Sequence, residues 1–141
     1  MTKSITTAVA AAALALLAAG AAQADTLAKI KQSGAASMGV RESSGALSFT
    51  LGNNQFAGFH VEICQRVLAD VQKSLGLAKL DIKYVPVTSQ NRIPLVQNGT
   101  VDIECGSTTN NATRQKDVAF AVTTYVEEVR IAVKANSGIT S

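Results

Sequence analysis

Apolar residues recur at intervals of three and four between Val61 and Leu75, and this is the clearest pattern in the chain. The spacing places these side chains on one face of an α-helix, which Gly76 is expected to end. The positions that form the predicted apolar face are Val61, Cys64, Val67, Leu68, Val71 and Leu75.

Three shorter segments are also predicted to be helical. The first covers residues 26–32 and has Asp25 or Thr26 as its expected N-cap, because a side-chain oxygen there can accept hydrogen bonds from the first free N–H groups. The other two cover residues 89–97 and 112–117.

Alternation of apolar and polar residues, or a short apolar run, predicts the β-strands. Pro86 is expected to end one strand or to place it at a sheet edge, because proline cannot donate a backbone hydrogen bond. Residues 52–54 are Gly-Asn-Asn, a strong turn signal. The predicted strands are 36–40, 80–84, 101–105 and 125–134, with a further extended segment at 47–51.

Helices and strands alternate along the chain, which indicates an α/β domain with a mainly parallel sheet flanked by helices. In such sheets, ligands bind beyond the carboxyl ends of the strands. Three polar segments follow predicted strands, and we expect them to converge at this edge: residues 41–44, 88–92 and 106–110.

Residues 1–24 are predicted to form a signal peptide that is cleaved after Ala24. Lys3 supplies the positive charge, residues 8–22 are almost entirely apolar, and Ala22 and Ala24 occupy the positions that must be small for cleavage. The apolar run is shorter than the roughly 20 residues that a membrane-spanning helix needs. We therefore expect residues 25–141 to be exported from the cytoplasm.

Charge and cysteine content narrow the classes of function. The formal net charge is +3 and basic residues are not interleaved with aromatic ones, so no nucleic-acid partner is expected. The sequence lacks metal-ligand spacing and a glycine-rich nucleotide loop, so no metal or cofactor is expected. Cys64 and Cys105 are expected to be buried free thiols, although an oxidising compartment would also permit a disulfide between them.

An arginine lies in or beside each of the three polar segments: Arg41, Arg92 and Arg114. A guanidinium group can hold a carboxylate through two hydrogen bonds, and the hydroxyls nearby add uncharged donors. Ser89, at the predicted start of a helix, would also present backbone N–H groups to an anion. These features suit a small dianion such as an amino dicarboxylate, while the alternative is that the arginines are solvated surface residues.

Two long motifs make the chain similar to a known family. Residues 87–95, VTSQNRIPL, and residues 102–111, DIECGSTTNN, followed by RQK at 114–116, resemble the periplasmic glutamate/aspartate-binding proteins. These are family 3 solute-binding proteins of ABC amino-acid importers, and the resemblance extends over residues 26–134. It implies a periplasmic-binding-protein-like first lobe that is incomplete. With the second lobe missing, the chain is expected to be a fragment or a shortened copy.

The resemblance also implies which residues contact the ligand. The residues expected to hold the ligand's α-carboxylate are Arg114, Thr109 and Ser107. The residues expected to hold its side-chain carboxylate are Arg41, Ser89 and Arg92. By the same resemblance, the protein would be a monomer that delivers L-glutamate and L-aspartate to the membrane permease of an ABC transporter.

Two other classes of function remain open, although no enzymatic activity is expected. An enzyme on this scaffold, such as a cyclohexadienyl dehydratase, would need a proton-transfer group in the cleft. Asp102 and Glu104 could form such a pair, but we expect structural roles because two acids would repel an anionic ligand. A sensor domain would need a signalling segment downstream. His60 replaces an acidic residue common in relatives, and we interpret it as a helix N-terminal residue rather than a ligand contact.

Overall fold

The computed structural model describes residues 25–128 and 130–139, which divide into two compact units at Thr108/Thr109. The predicted signal peptide lies outside the described residues, as does Val129 of the predicted last strand. The elements of the first unit are, in order, α1 (Thr26–Ser33), β1 (Ala35–Val40), β2 (Phe49–Gly52), β3 (Gln55–Ala57), α2 (Phe59–Ser74), β4 (Asp81–Pro86), α3 (Arg92–Gln97) and β5 (Ile103–Cys105).

The main sheet of the first unit has three strands in the order β4-β1-β5, and both outer strands run parallel to β1. The predicted α/β architecture with a parallel sheet is therefore confirmed. Pro86 is the last residue of β4, and β4 lies at an edge of this sheet, as expected for a residue that cannot donate a ladder hydrogen bond.

Helix α1 begins where the sequence predicts. The Asp25 carboxylate caps it by accepting hydrogen bonds from the N–H groups of Leu27 and Ala28, at 3.0 and 3.4 Å. Helix α2 begins at Phe59 and has Leu75 as its C-cap. Gly76 follows with a φ of 67°, so the predicted stop is confirmed to within one residue.

The hydrophobic core lies between helices α1 and α2 and one face of the sheet. Val61, Cys64 and Leu68 of α2 are buried in it, while Val71 and Leu75 pack against its border. Most of the predicted apolar face is thus confirmed, but Val67 is 44% exposed. The buried residues of the cluster are Ile30, Ala36, Met38, Val40, Phe56, Val61, Cys64, Leu68 and Cys105.

Cys64 and Cys105 form a disulfide bond, so the expectation of two free thiols is wrong. Residue 64 faces the core from α2, and residue 105 ends β5 on the sheet face that α2 covers. This packing brings the two Cα atoms to 6.2 Å, which is within the range that a disulfide can span. Sequence spacing carries no information on that distance.

Strands β2 and β3 form an antiparallel hairpin beside the main sheet. The turn between them contains Asn53 and Asn54, whose φ angles are 51° and 58°. Positive φ at both central residues is the geometry of a two-residue hairpin turn, and asparagine tolerates it. The turn was predicted, whereas the three-residue strand after it was not.

The second unit contains one short 3₁₀ helix among its described residues, Arg114–Lys116, within the predicted helical segment 112–117. The strand predicted over 125–134 is wrong, because none of its described residues lies in a strand. Its apolar residues are exposed, with Val126 at 83% and Ile131 at 88%. Alternation supplies β-propensity, but a strand also needs a partner backbone and a surface to cover.

Within residues 25–128 and 130–139, no helix is both long and apolar enough to cross a bilayer.

Candidate anion-binding site

The three strands of the main sheet end at one edge. Val40 at the end of β1 is in register with Pro86 of β4 on one side and with Cys105 of β5 on the other. The segments that begin at residues 41, 87 and 106 therefore leave the sheet next to one another. This is the edge at which parallel sheets bind ligands.

Arg41 comes directly after β1, and its side chain is held by neighbouring groups. Its Nε donates to the Ser44 hydroxyl at 3.1 Å, and its Nη1 donates to the Val87 carbonyl at 2.7 Å. Its backbone N–H donates to the hydroxyl of Ser48, which is fully buried. The guanidinium group is thus placed over the ends of β1 and β4 while staying half-buried.

Ser107 lies beside this arginine network. Its hydroxyl is 3.0 Å from the Ser44 hydroxyl, which links it to Arg41 through one intermediate group. Gly106 makes this approach possible, because a Cβ atom there would lie 2.5 Å from Arg41 Cγ and from Glu104 Oε1. The structure therefore brings two predicted site residues, Arg41 and Ser107, to one place.

Arg92 is the first residue of α3 and is only 6% exposed. Its Nη1 lies 3.9 Å from Oε1 of Glu104, whose side chain is also largely buried. Burial raises the pKa of the Glu104 carboxyl, although the Thr108 hydroxyl and the positive charge of Arg92 act in the opposite direction. The arginine predicted as a carboxylate ligand is thus already paired with an acid of the protein.

Ser89 lies in an exposed turn before α3 and not at the start of a helix. The helix begins at Arg92, three residues later than predicted. Thr88 and Asn91 hold the turn before it, because each side chain accepts a hydrogen bond from the other residue's N–H group, at 3.2 and 2.7 Å. The helix start predicted at Ser89 is therefore wrong by three residues, while the role of its N–H groups toward an anion stays a prediction.

Two predicted site residues, Thr109 and Arg114, belong to the second unit. Arg114 Nη1 donates to the Thr109 carbonyl at 2.9 Å, and the Arg114 N–H donates to the Asn111 side chain at 3.0 Å. The side chain of Arg114 is half-buried. This unit thus presents its guanidinium group in a fixed position relative to the residues just before it.

Sequence reasoning missed how closely α2 is tied to the residues after β5. His60 is the second residue of α2, as interpreted from the sequence, and its Nδ1 is hydrogen-bonded to the Gly106 carbonyl at 2.5 Å. The disulfide bonds the same helix to Cys105. The presence of two cysteines in a chain expected to be exported was the available signal for this link.

Asp102 has the structural role that we expected. Its carboxylate accepts hydrogen bonds from the Lys29 ammonium group at 2.9 Å and from the Ser37 N–H at 2.8 Å. It therefore joins α1, β1 and the residues before β5. Glu104, two residues later, instead lies beside Arg92.

Comparison with known proteins identifies a family for this chain. Residues 36–140 match the profile of the bacterial extracellular solute-binding proteins, family 3. The chain is 44% identical over 131 residues to the glutamate/aspartate import solute-binding protein of Escherichia coli (strain K12), covering 87% of this chain and 43% of that protein. It is 46% identical over 116 residues to the L-glutamate/L-aspartate-binding protein of Pseudomonas aeruginosa, covering 81% and 38%.

A solved structure shares the fold. The solute receptor for L-cysteine of Neisseria gonorrhoeae superimposes with a TM-score of 0.58 at 27% identity, covering 67% of this chain and 37% of that chain. This chain spans about two fifths of the length of the curated relatives that it matches. Since the family profile covers most of its residues, the chain belongs to the bacterial extracellular solute-binding proteins of family 3.

Proposed function

We propose that this protein is the extracytoplasmic solute-binding component of an ABC importer and that it binds L-glutamate and L-aspartate. The observation that carries the proposal is the Arg41–Ser44–Ser107 network at the carboxyl edge of the parallel sheet. It places a guanidinium group and two hydroxyls where such sheets receive ligands. Both curated relatives described above carry glutamate and aspartate in their names.

The proposed contacts serve the two carboxylates of the ligand. We assign Arg41, Ser89 and Arg92 to its side-chain carboxylate. We assign Ser107, Thr109 and Arg114 to its α-carboxylate. Arginine suits both roles because its planar fork matches a carboxylate and keeps its charge at every physiological pH.

We propose that the protein binds and releases its ligand without changing it. The proposed contacts are arginines and hydroxyls, which hold anions but do not transfer protons at neutral pH. The acid beside Arg92 is Glu104, and the two are paired. A dehydratase on this scaffold would need such an acid to face its substrate, so product formation from a cyclohexadienyl substrate would overturn this part of the proposal.

The proposed location is the periplasm, with the signal peptide removed after Ala24 and the mature protein acting as a monomer beside its membrane permease. The Cys64–Cys105 disulfide supports this location, because disulfides persist in oxidising compartments and are rare in the cytosol. Intact mass of the exported protein would test the cleavage site. A mass that still includes residues 1–24 would contradict it.

Calorimetric titration of the protein, produced from its complete reading frame, tests the ligand. We expect heat on adding L-glutamate or L-aspartate and none on adding L-arginine. Arg114→Ala should abolish binding. The matched control is Arg130→Ala, because Arg130 is an exposed arginine of the same unit that pairs with Glu128. Wild-type protein that binds a neutral or basic amino acid, but neither acidic one, would refute the proposed specificity.

A further inference from the structure

Arg92 carries its charge in a place that water hardly reaches. Its side chain is 7% exposed, and the Glu104 side chain, 3.9 Å away, is 12% exposed. A buried guanidinium group needs a nearby opposite charge, because the interior solvates it poorly. The Glu104 carboxylate supplies that charge through an ion contact of 3.9 Å, which is longer than a hydrogen bond.

Gly106 makes room for the Glu104 carboxylate. A Cβ atom at Gly106 would lie 2.5 Å from Glu104 Oε1 and from Arg41 Cγ. Glu104 is in register with Gly39 of β1, where a Cβ atom would be in ordinary van der Waals contact with Glu104 Cγ, at 3.5 Å. The carboxylate therefore ends close to the stem of Arg41 as well as to Arg92.

The surroundings of Glu104 disfavour its ionised form. Burial raises the pKa of this carboxyl, and the groups that oppose the rise are the Thr108 hydroxyl and the charges of Arg92 on α3, Arg41 after β1 and His60 on α2. A raised pKa means that the ionised form costs folding free energy relative to the protonated form. Groups that are kept at a cost to stability are typical of functional sites.

We propose that Glu104 is a positioning residue that holds the Arg92 guanidinium group in the orientation required by the ligand's side-chain carboxylate. The inference rests on the proposed function, since it assigns a role within the same site. Glu104 does not contact the ligand. Its carboxylate fixes Arg92 from the side of the sheet. The protein's preference for a dicarboxylate ligand over the corresponding amide therefore depends on the Glu104 side chain.

Asp102 provides the matched control. It lies two residues before Glu104, its side chain is only 3% exposed, and it also pairs with a basic residue, Lys29 of α1. Asp102→Asn therefore removes a buried carboxylate from the same segment without touching Arg92. We expect it to lower the melting temperature and to leave ligand preference unchanged.

The test compares wild type, Glu104→Gln and Asp102→Asn, each produced from the complete reading frame. Calorimetry with L-glutamate and L-glutamine measures preference, and thermal unfolding of the ligand-free protein measures stability. Glu104→Gln should weaken L-glutamate binding about tenfold or more and reduce its preference over L-glutamine, a change in preference that a purely structural role would not produce. Glu104→Asp, which keeps the charge, should recover part of the preference.

Each alternative outcome contradicts a specific statement. Wild-type preference in Glu104→Gln, or tighter L-glutamate binding by it, would overturn the positioning role, because the acid would then be neutral toward the ligand or repel it. Equal loss of preference in Asp102→Asn would also overturn it. A wild-type protein that binds neither amino acid would refute the proposed function itself, and this inference with it.

Discussion

Removing the link between Cys64 and Cys105 is expected to lower the free energy of unfolding by about 4 kcal/mol at 25 °C. The two cysteines are 41 positions apart. In the chain-entropy treatment, a cross-link that closes a loop of this length restricts the unfolded chain by about that free energy. Because both cysteines are buried, the link adds no exposed surface to the folded state.

The assay is denaturant unfolding of wild type and of the Cys64→Ala/Cys105→Ala double variant, each with and without a thiol reductant. Reduction should lower the unfolding midpoint of wild type and leave that of the double variant unchanged. Each single variant should lose nearly as much stability as the double variant, because breaking either end removes the same link.

Two results would refute this reasoning. If the exported wild type, denatured without reductant, reacts fully with a thiol reagent, the link is not formed in the protein. If wild type unfolds at the same midpoint with and without reductant, the link is formed but does not stabilise the fold. The single variants distinguish packing from linkage, since packing losses would add in the double variant.

Three further predictions concern the sheet edge. Gly106→Ala should lower the free energy of unfolding in denaturant by about 1–3 kcal/mol, because its Cβ would lie 2.5 Å from Arg41 Cγ and Glu104 Oε1. An unchanged unfolding midpoint would contradict this close approach. Ser44→Ala should weaken ligand binding about fivefold in calorimetry, which corresponds to the loss of one hydrogen bond. The reason is that it breaks the link between Arg41 and Ser107. Unchanged affinity would show that binding does not need this link. Because the pKa of Glu104 is raised, wild type should lose stability relative to Glu104→Gln as the pH rises from the ordinary pKa of 4.5 through the raised pKa. A difference in melting temperature that stays constant across the acidic range would contradict the raised pKa.

Local sequence patterns predicted two kinds of feature. The first is a helix with one apolar face that packs against the core, and the second is a cap or turn formed by residues close in sequence. Helix α2 was predicted from the spacing of Val61, Cys64 and Leu68, and these side chains are buried. The cap at Asp25 and the turn at Asn53–Asn54 depend on backbone geometry within a few residues, so the residue types in these short segments predict them.

Features that depend on tertiary contacts could not be predicted in this way. The strand over 125–134 was predicted from alternation alone, which does not supply the partner that a strand needs. The pairing of Arg92 with Glu104 requires β5 and α3 to meet, and no spacing rule gives that contact.

Three consecutive residues explain why the segment at Ser107 has a defined position. Glu104 and Cys105 point to opposite faces of the sheet, as neighbours in a strand must. Glu104 therefore meets Arg92, while Cys105 is bonded to α2 through its disulfide. The Gly106 carbonyl is hydrogen-bonded to His60 of the same helix. The chain that leaves β5 is thus attached on both faces of the sheet before it reaches the Ser107 hydroxyl. Ligand affinity should accordingly respond to changes in α2 and β5 that never touch the ligand.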